Sequence, residues 1–196
     1  MSATAALSPR RPLVLADLLP RTLARDATLV LAAALLTAAC AQISIPVPGS
    51  PVPVTGQTFA VLLTAAALGA RRGAAGQALY VALGLFLPFY SDGESGLTYA
   101  TGATGGYLLG FIVAGWVVGA LAERGGDRTP PRALPLFAAG QLIIFALGVP
   151  WLAISADLTP AQALDAGFVP FILGGLLKAA LAAGLLPAAW KLAGRR

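Results

Sequence analysis

The sequence contains no histidine. That absence removes Ser-His-Asp catalysis, His-ligated zinc and the imidazole proton relay. There is one cysteine, Cys40, so no disulfide can close within the chain. Its place inside an apolar run suits a small buried hydrophobe. Charged residues make up only 11% of the chain, against roughly 25% in a soluble domain. The sequence has no Gly-x-x-x-x-Gly-Lys-Ser/Thr phosphate loop, so this chain does not itself use ATP. It also lacks Gly-x-Ser-x-Gly, His-Glu-x-x-His and any pair of carboxylates inside an apolar run, so neither an enzyme nor a bound cofactor is expected. No inverted repeat with matching interrupted helices points to a secondary transporter.

Apolar residues dominate instead, at 58% of 196 residues. Such a chain cannot cover a core with polar surface, so its solvent is lipid. The 23 glycines and 15 prolines sit among Leu, Ala and Val, which fits closely packed membrane helices. The net charge of +5 does not indicate nucleic acid, because the basic residues punctuate the apolar runs rather than gather on one surface. Arg10, Arg11, Arg21 and Arg25 precede the first apolar stretch, as in a signal peptide. A retained first helix is preferred, since further spans follow.

Apolar runs long enough for membrane helices are read at Ala27–Ser44, Thr55–Ala70, Gly73–Phe89, Thr101–Ala122, Ala133–Ile154 and Gly167–Trp190. With the N-terminus inside and six crossings, Arg10, Arg11, Arg21, Arg25, Arg71, Arg72, Arg124, Arg128, Arg132, Lys191, Arg195 and Arg196 all fall inside. These are 12 of the 13 basic residues. The outside loops carry Asp92, Glu94, Asp157 and Asp165 and no base. This satisfies the positive-inside rule at every loop. The expectation is an all-α membrane protein: a six-transmembrane-helix bundle at 27–193, preceded by a cytoplasmic segment 1–26, with both termini cytoplasmic. Such a protein belongs in the bacterial cytoplasmic (inner) membrane as a multi-pass protein, with the lipid bilayer as its surroundings and no nucleic-acid partner.

The remaining base is Lys178, near the middle of the sixth run and about 15 Å from its outer end at 1.5 Å per residue. A lysine at that depth costs about 2.5–3.5 kcal/mol on insertion scales and faces an interior cavity. No span contains an acid within its apolar core. Its partner is therefore either a loop carboxylate reaching down or the anion of a bound ligand. Gly102, Gly106 and Gly110 form a ridge for close helix approach, and Gly115 and Gly119 form a second. Beside them, Thr104 and Tyr107 present hydroxyls to a ligand or to a neighbouring helix.

The segment 45–54 alternates prolines with apolar residues, which forbids helix and suggests a lid over the outer mouth. Thr55 is expected to cap the second helix, with Gln57 in its first turn as a ligand contact. The acidic, glycine-rich loop 90–99 brings Asp92 and Glu94 as acceptors.

Four segments carry a family resemblance in order and spacing: Gln42-Ile43-Ser44-Ile45-Pro46, Val52-Pro53-Val54-Thr55-Gly56-Gln57-Thr58, Thr104-Gly105-Gly106-Tyr107-Leu108-Leu109-Gly110-Phe111 and Leu177-Lys178-Ala179. Across residues 27 to 192 the chain resembles the BioY family, the biotin-specific membrane subunits of energy-coupling-factor (ECF) transporters. The resemblance implies a six-helix bundle that captures biotin near its outer face for high-affinity uptake. It implies that Lys178 lies at the biotin site, with a polar loop position near Glu94. It also implies an ECF coupling membrane protein and ATPase subunits as partners, or a homo-oligomer. Two positions depart from the family pattern. Gly175 stands where an acid is frequent, three residues before the lysine, and Ala103 stands where proline is usual. Asp92 or Glu94 is expected to supply the hydrogen bonding that Gly175 lacks. A secondary transporter for another small organic anion is the alternative reading.

Cysteines introduced singly at 71–73 are expected to react with an impermeant thiol reagent only from the inner face. Labelling from outside alone would refute the topology.

Overall fold

A chain immersed in lipid must satisfy its backbone N–H and C=O groups internally, which leaves helices as the natural answer here. The computed structural model describes residues 13–194. Residues 1–12 of the expected N-terminal segment, with Arg10 and Arg11, lie outside the described residues, as do Arg195 and Arg196. The helices are α1 (Leu23–Ala41), α2 (Gln57–Leu68), α3 (Ala70–Gly84), α4 (Leu97–Thr101), α5 (Gly105–Glu123), α6 (Pro130–Ser155), α7 (Pro160–Gly167) and α8 (Phe171–Ala193). Two short strands, β1 (Ser44–Ile45) and β2 (Val54–Thr55), pair antiparallel with Ser44 opposite Thr55. The proline-rich segment is therefore the loop of a small hairpin, turned at Gly49, which has φ +80°.

Six of these helices answer to the six apolar runs, but not all in length. Among the described residues, α1, α5, α6 and α8 are long and apolar enough to cross a membrane. At 12 and 15 residues, α2 and α3 reach only about 18 and 22 Å, short of a hydrocarbon core about 30 Å thick. Sheathing by longer neighbours relieves α2 of facing lipid along its length: Ala60, Val61, Leu62, Ala65 and Ala66 are all at or near zero exposure. The two short helices meet at Gly69, where a φ of +86° makes a turn that an L-residue adopts only with strain. Two further short helices were not foreseen. α4 lies just before the fourth run, sharing only Thr101 with it, and α7 takes the residues before α8, opening with a Thr159–Gln162 capping box. In consequence Lys178 stands about 10 Å into α8, nearer its N-terminal end than its middle.

The central element is α5, which packs on α6, α3 and α2. Its two glycine ridges serve different partners. A Cβ on Gly110 would sit 2.9 Å from Cα of Ile144, and one on Gly106 only 2.3 Å from Cβ of Trp151, both on α6. Gly115 and Gly119 face the opposite way, against the backbone of Gly73 and Ala70 on α3. Gly102 lies outside α5, in the break after α4.

The described basic residues other than Lys178 gather at one end of the bundle, where buried acids meet some of them. Asp17, in a 3-10 turn at Leu15–Leu18, pairs with Arg72 at 3.1 Å and Arg21 at 3.5 Å. Burial opposes its charge, but bonds from Arg72 and from the Val14 and Leu13 amides hold its carboxyl below the usual range. Arg72 also reaches Asp26 at 3.2 Å, tying α3 to α1. Asp127 is fully buried. Burial pushes its pKa up, against a 2.6 Å bond from the Trp190 indole N–H.

Gly119→Ala should destabilise the protein by about 1–3 kcal/mol, because the new methyl would lie 2.4 Å from the Ala70 amide nitrogen. Gly184→Ala, where nothing lies within 4 Å, should be neutral or mildly stabilising. Thermal unfolding in detergent compares the two; equal effects would contradict the close α5–α3 contact.

Candidate functional site

At the end opposite the basic cluster, α2, α5, α6 and α8 leave a cavity that the proline-rich hairpin covers. Its walls come from Val52 and Pro53 of the hairpin, Thr55, Gln57 and Thr58 at the start of α2, Ser91 of the loop before α4, and Tyr99 of α4. Thr104, Tyr107, Leu108 and Phe111 contribute from α5, Gln141, Ile144 and Phe145 from α6, and Phe171 and Lys178 from α8. The open space is about 40 Å³, room for no more than a few waters. Much of one wall is aromatic. Phe145 packs edge-on against Phe168 (ring centroids 5.0 Å apart), Phe171 (6.0 Å) and Tyr107 (6.3 Å).

Lys178 enters this apolar setting from α8. Its Nζ donates to the Thr55 carbonyl oxygen and to Thr58 Oγ1, the latter at 3.2 Å. Both partners are neutral. Among the described residues no carboxylate pairs with Lys178 or lines the cavity, and Lys178 is the only cation there. The loop carboxylate that might have reached down does not do so.

A chain of hydrogen bonds runs inward from the lysine. Thr55 Oγ1 donates to Gln57 Oε1 at 2.7 Å, and Gln57 Nε2 donates to the Tyr80 hydroxyl. Deeper still, Thr37 Oγ1 donates to Gln77 Oε1 at 3.2 Å, and Gln77 Nε2 to Thr64 Oγ1 at 3.3 Å. These polar groups are buried among apolar helices, so each depends on its partner.

Five sequence-predicted residues meet at the cavity: Lys178, Thr55, Gln57, Thr104 and Tyr107. Their local roles differ from expectation in places. The N-cap of α2 is Gly56, not Thr55. Thr55 lies on β2, and its Oγ1 accepts from the Gln57 amide at 3.4 Å. The Tyr107 hydroxyl is committed to the Gly167 carbonyl at 2.8 Å, so only its ring faces the cavity. Asp92 and Glu94 are exposed and lie off the cavity wall. Asp92, held at φ +59°, accepts from Ser44 Oγ at 3.1 Å and from Ser91 Oγ at 3.2 Å. Gly175 does not line the cavity itself; it backs onto the amide of Gln141. Thr58, Ser91, Tyr99, Gln141 and the phenylalanines were not singled out from the sequence. Gln141 was findable, as an uncompensated amide in an otherwise apolar run; the phenylalanines carry no signal distinguishing a cavity wall from a lipid-facing surface.

Comparison with known proteins gives a consistent picture. The model of the BioY family matches residues 9–195. The biotin transporter BioY of Thermotoga maritima is 40% identical over 140 residues, covering 71% of this chain and 81% of that protein. The biotin transporter BioY2 of Lactococcus lactis is 34% identical over 158 residues, covering 79% and 84%. Among solved structures, the S-component for biotin from an ECF-type ABC transporter superposes with a TM-score of 0.75 at 21% identity, covering 88% of this chain and 95% of that one. At that identity the likeness speaks for the fold.

Tyr80→Phe should cost about 1–3 kcal/mol of stability, because it strands the buried Gln57 amide N–H. Thermal unfolding measures this. A change below about 0.5 kcal/mol, the level of an ordinary surface substitution, would mean the amide has another partner.

Proposed function

Since this chain belongs to the BioY family, we propose that it is an integral membrane protein for biotin uptake, the high-affinity substrate-binding subunit of an ECF-type transporter. The observation that carries the reading is the cavity itself: an aromatic and aliphatic chamber with one cation, Lys178, and no carboxylate on its described walls. Biotin is an anion with an apolar tail and a ureido head. The Lys178 ammonium suits the carboxylate, the faces of Leu108, Phe111, Ile144 and Phe145 suit the tail, and the remaining polar wall suits the head.

The energetics favour this pairing. The partners of Lys178 are a carbonyl and a hydroxyl, which solvate an ammonium without neutralising it. A ligand carboxylate neutralises it, so part of the binding free energy comes from relieving a charge held at a disadvantage. Admission needs movement, because the open space is far smaller than a vitamin. The hairpin 46–53 is the natural moving part: it joins two helices at the mouth, contributes Val52 and Pro53 to the wall, and has no helical backbone to break.

In this reading residues 27–193 form a single domain that crosses the bacterial cytoplasmic membrane six times, with both ends inside. The short α2 and α3 complete their crossings within the sheath of the longer helices, and the arginine-rich end faces the cytoplasm. That same end is where an ECF coupling membrane protein and its ATPase subunits would have to be reached, unless a homo-oligomer does the work.

Lys178→Ala should weaken biotin binding by about 2–5 kcal/mol, the range for truncating one member of a buried charge pair. Biotin amide, which lacks the charge, should bind the natural protein much less tightly than the acid and discriminate little in the variant. Titration calorimetry of both ligands against both purified proteins makes the comparison. Equal affinity of acid and amide for the natural protein would overturn the pairing.

A further inference from the structure

We infer that the side-chain amide oxygen of Gln141 accepts a hydrogen bond from the ligand, and that Gly175 is the positioning residue that leaves this amide its place. Gln141 lies on α6 with 8% of its surface exposed, and its side chain lines the same cavity as Lys178. Its Oε1 is buried and has no hydrogen-bond partner. An acceptor in that state is costly to maintain, and native interiors rarely keep one without a use.

The missing donor has to come from the cavity. On its other side Gln141 borders a groove between α6 and α8 whose neighbours are Leu134, Leu142, Ile172 and Leu176, none of which carries a side-chain donor. The amide nitrogen points at α8: a Cβ on Gly175 would lie 2.6 Å from Nε2 and closer to it than to any other atom. Glycine at 175 is thus the condition for the amide to lie where it does, with its nitrogen against the α8 backbone and its oxygen unengaged. Any side chain at 175 would displace the amide from that position.

The inference rests on the biotin reading above and sharpens it. Ionised biotin has no donor on its carboxylate, and its only N–H groups are the two of the ureido ring. An acceptor on this wall that lacks a donor therefore recognises the ureido end, while Lys178 recognises the acid. A site built to receive an N–H rejects an analogue that presents an oxygen instead, because two acceptors are then left facing each other.

The test uses the full-length protein in detergent and two probes: biotin, and the analogue whose ureido ring is replaced by a cyclic carbonate of the same shape. The natural protein should bind biotin at least 10-fold more tightly than the carbonate. Gln141→Leu should weaken biotin by about 10- to 100-fold and leave the carbonate nearly unchanged, so the preference collapses. Gly175→Ala should weaken biotin too, and should add no further loss in the Gln141→Leu background, where no amide remains to displace. A merely structural role for Gly175 would persist in that background. If Gln141→Leu binds biotin within two-fold of the natural protein, the inference is wrong. If that variant does not fold, the natural protein decides alone, and carbonate binding equal to biotin overturns the proposal. Failure of the natural protein to bind biotin at all would sink the biotin reading instead, a result distinct from either.

Discussion

The bundle depends on backbone coming close to backbone at α5. In lipid there is no hydrophobic gain from bringing two apolar helices together, since the tails they displace are equally apolar. What remains is van der Waals contact, and that requires surfaces without side chains in the way. Gly106 and Gly110 supply one such surface toward α6, and Gly115 and Gly119 supply another toward α3. A helix with two small-residue faces becomes a post against which three neighbours are set. The positions of α2 and α8, and therefore of the cavity between them, follow from that post.

The cavity sits beside this close packing, on another face of α5. While Gly106 and Gly110 hold α6 close, the face of α5 at Tyr107, Leu108 and Phe111 carries large side chains, and α6 and α8 answer with Phe145, Phe171 and Lys178. Those side chains line the space, and the hairpin covers it. The same region collects polar groups of uneven satisfaction. Gln57, Gln77 and Thr64 are partnered within the protein. Lys178 has only neutral partners, and the Gln141 oxygen has none. That difference in satisfaction is the basis on which Lys178 and Gln141 are proposed to meet a ligand, since an unmet group in an apolar interior persists at a cost to stability.

The opposite end is electrostatic. Arginines there meet Asp17, Asp26 and Asp127, and the 3-10 turn before α1 is drawn into the bundle through Arg72. Some of these pairs are local, such as Asp17 with Arg21, but those that tie elements together, Arg72 with Asp17 and with Asp26, join positions more than 40 residues apart and are not legible in the sequence. Asp17 reaches 55 positions along the chain to Arg72.

From the sequence alone, the solvent was legible, because a chain so poor in charge has too little polar surface for water. The helical nature and approximate position of each long helix were legible for the same reason, through runs whose length matches a bilayer. Lys178 was legible as the residue to examine, because an isolated cation in such a run is expensive enough to demand an explanation, and the structure sets it on the cavity wall. Tertiary structure alone decided which polar residues face one another. It moved Asp92 and Glu94 off the cavity, brought Gln141 onto it, and turned Gly175 from an apparent gap into the space that an amide from another helix occupies. Hydropathy averages over a helix and carries no azimuth. Whether a glutamine points inward depends on the rotation of its helix against its neighbours, and here that rotation is set by close glycine contacts in the bundle, while the loop carboxylates are placed by their own backbone turn at Asp92.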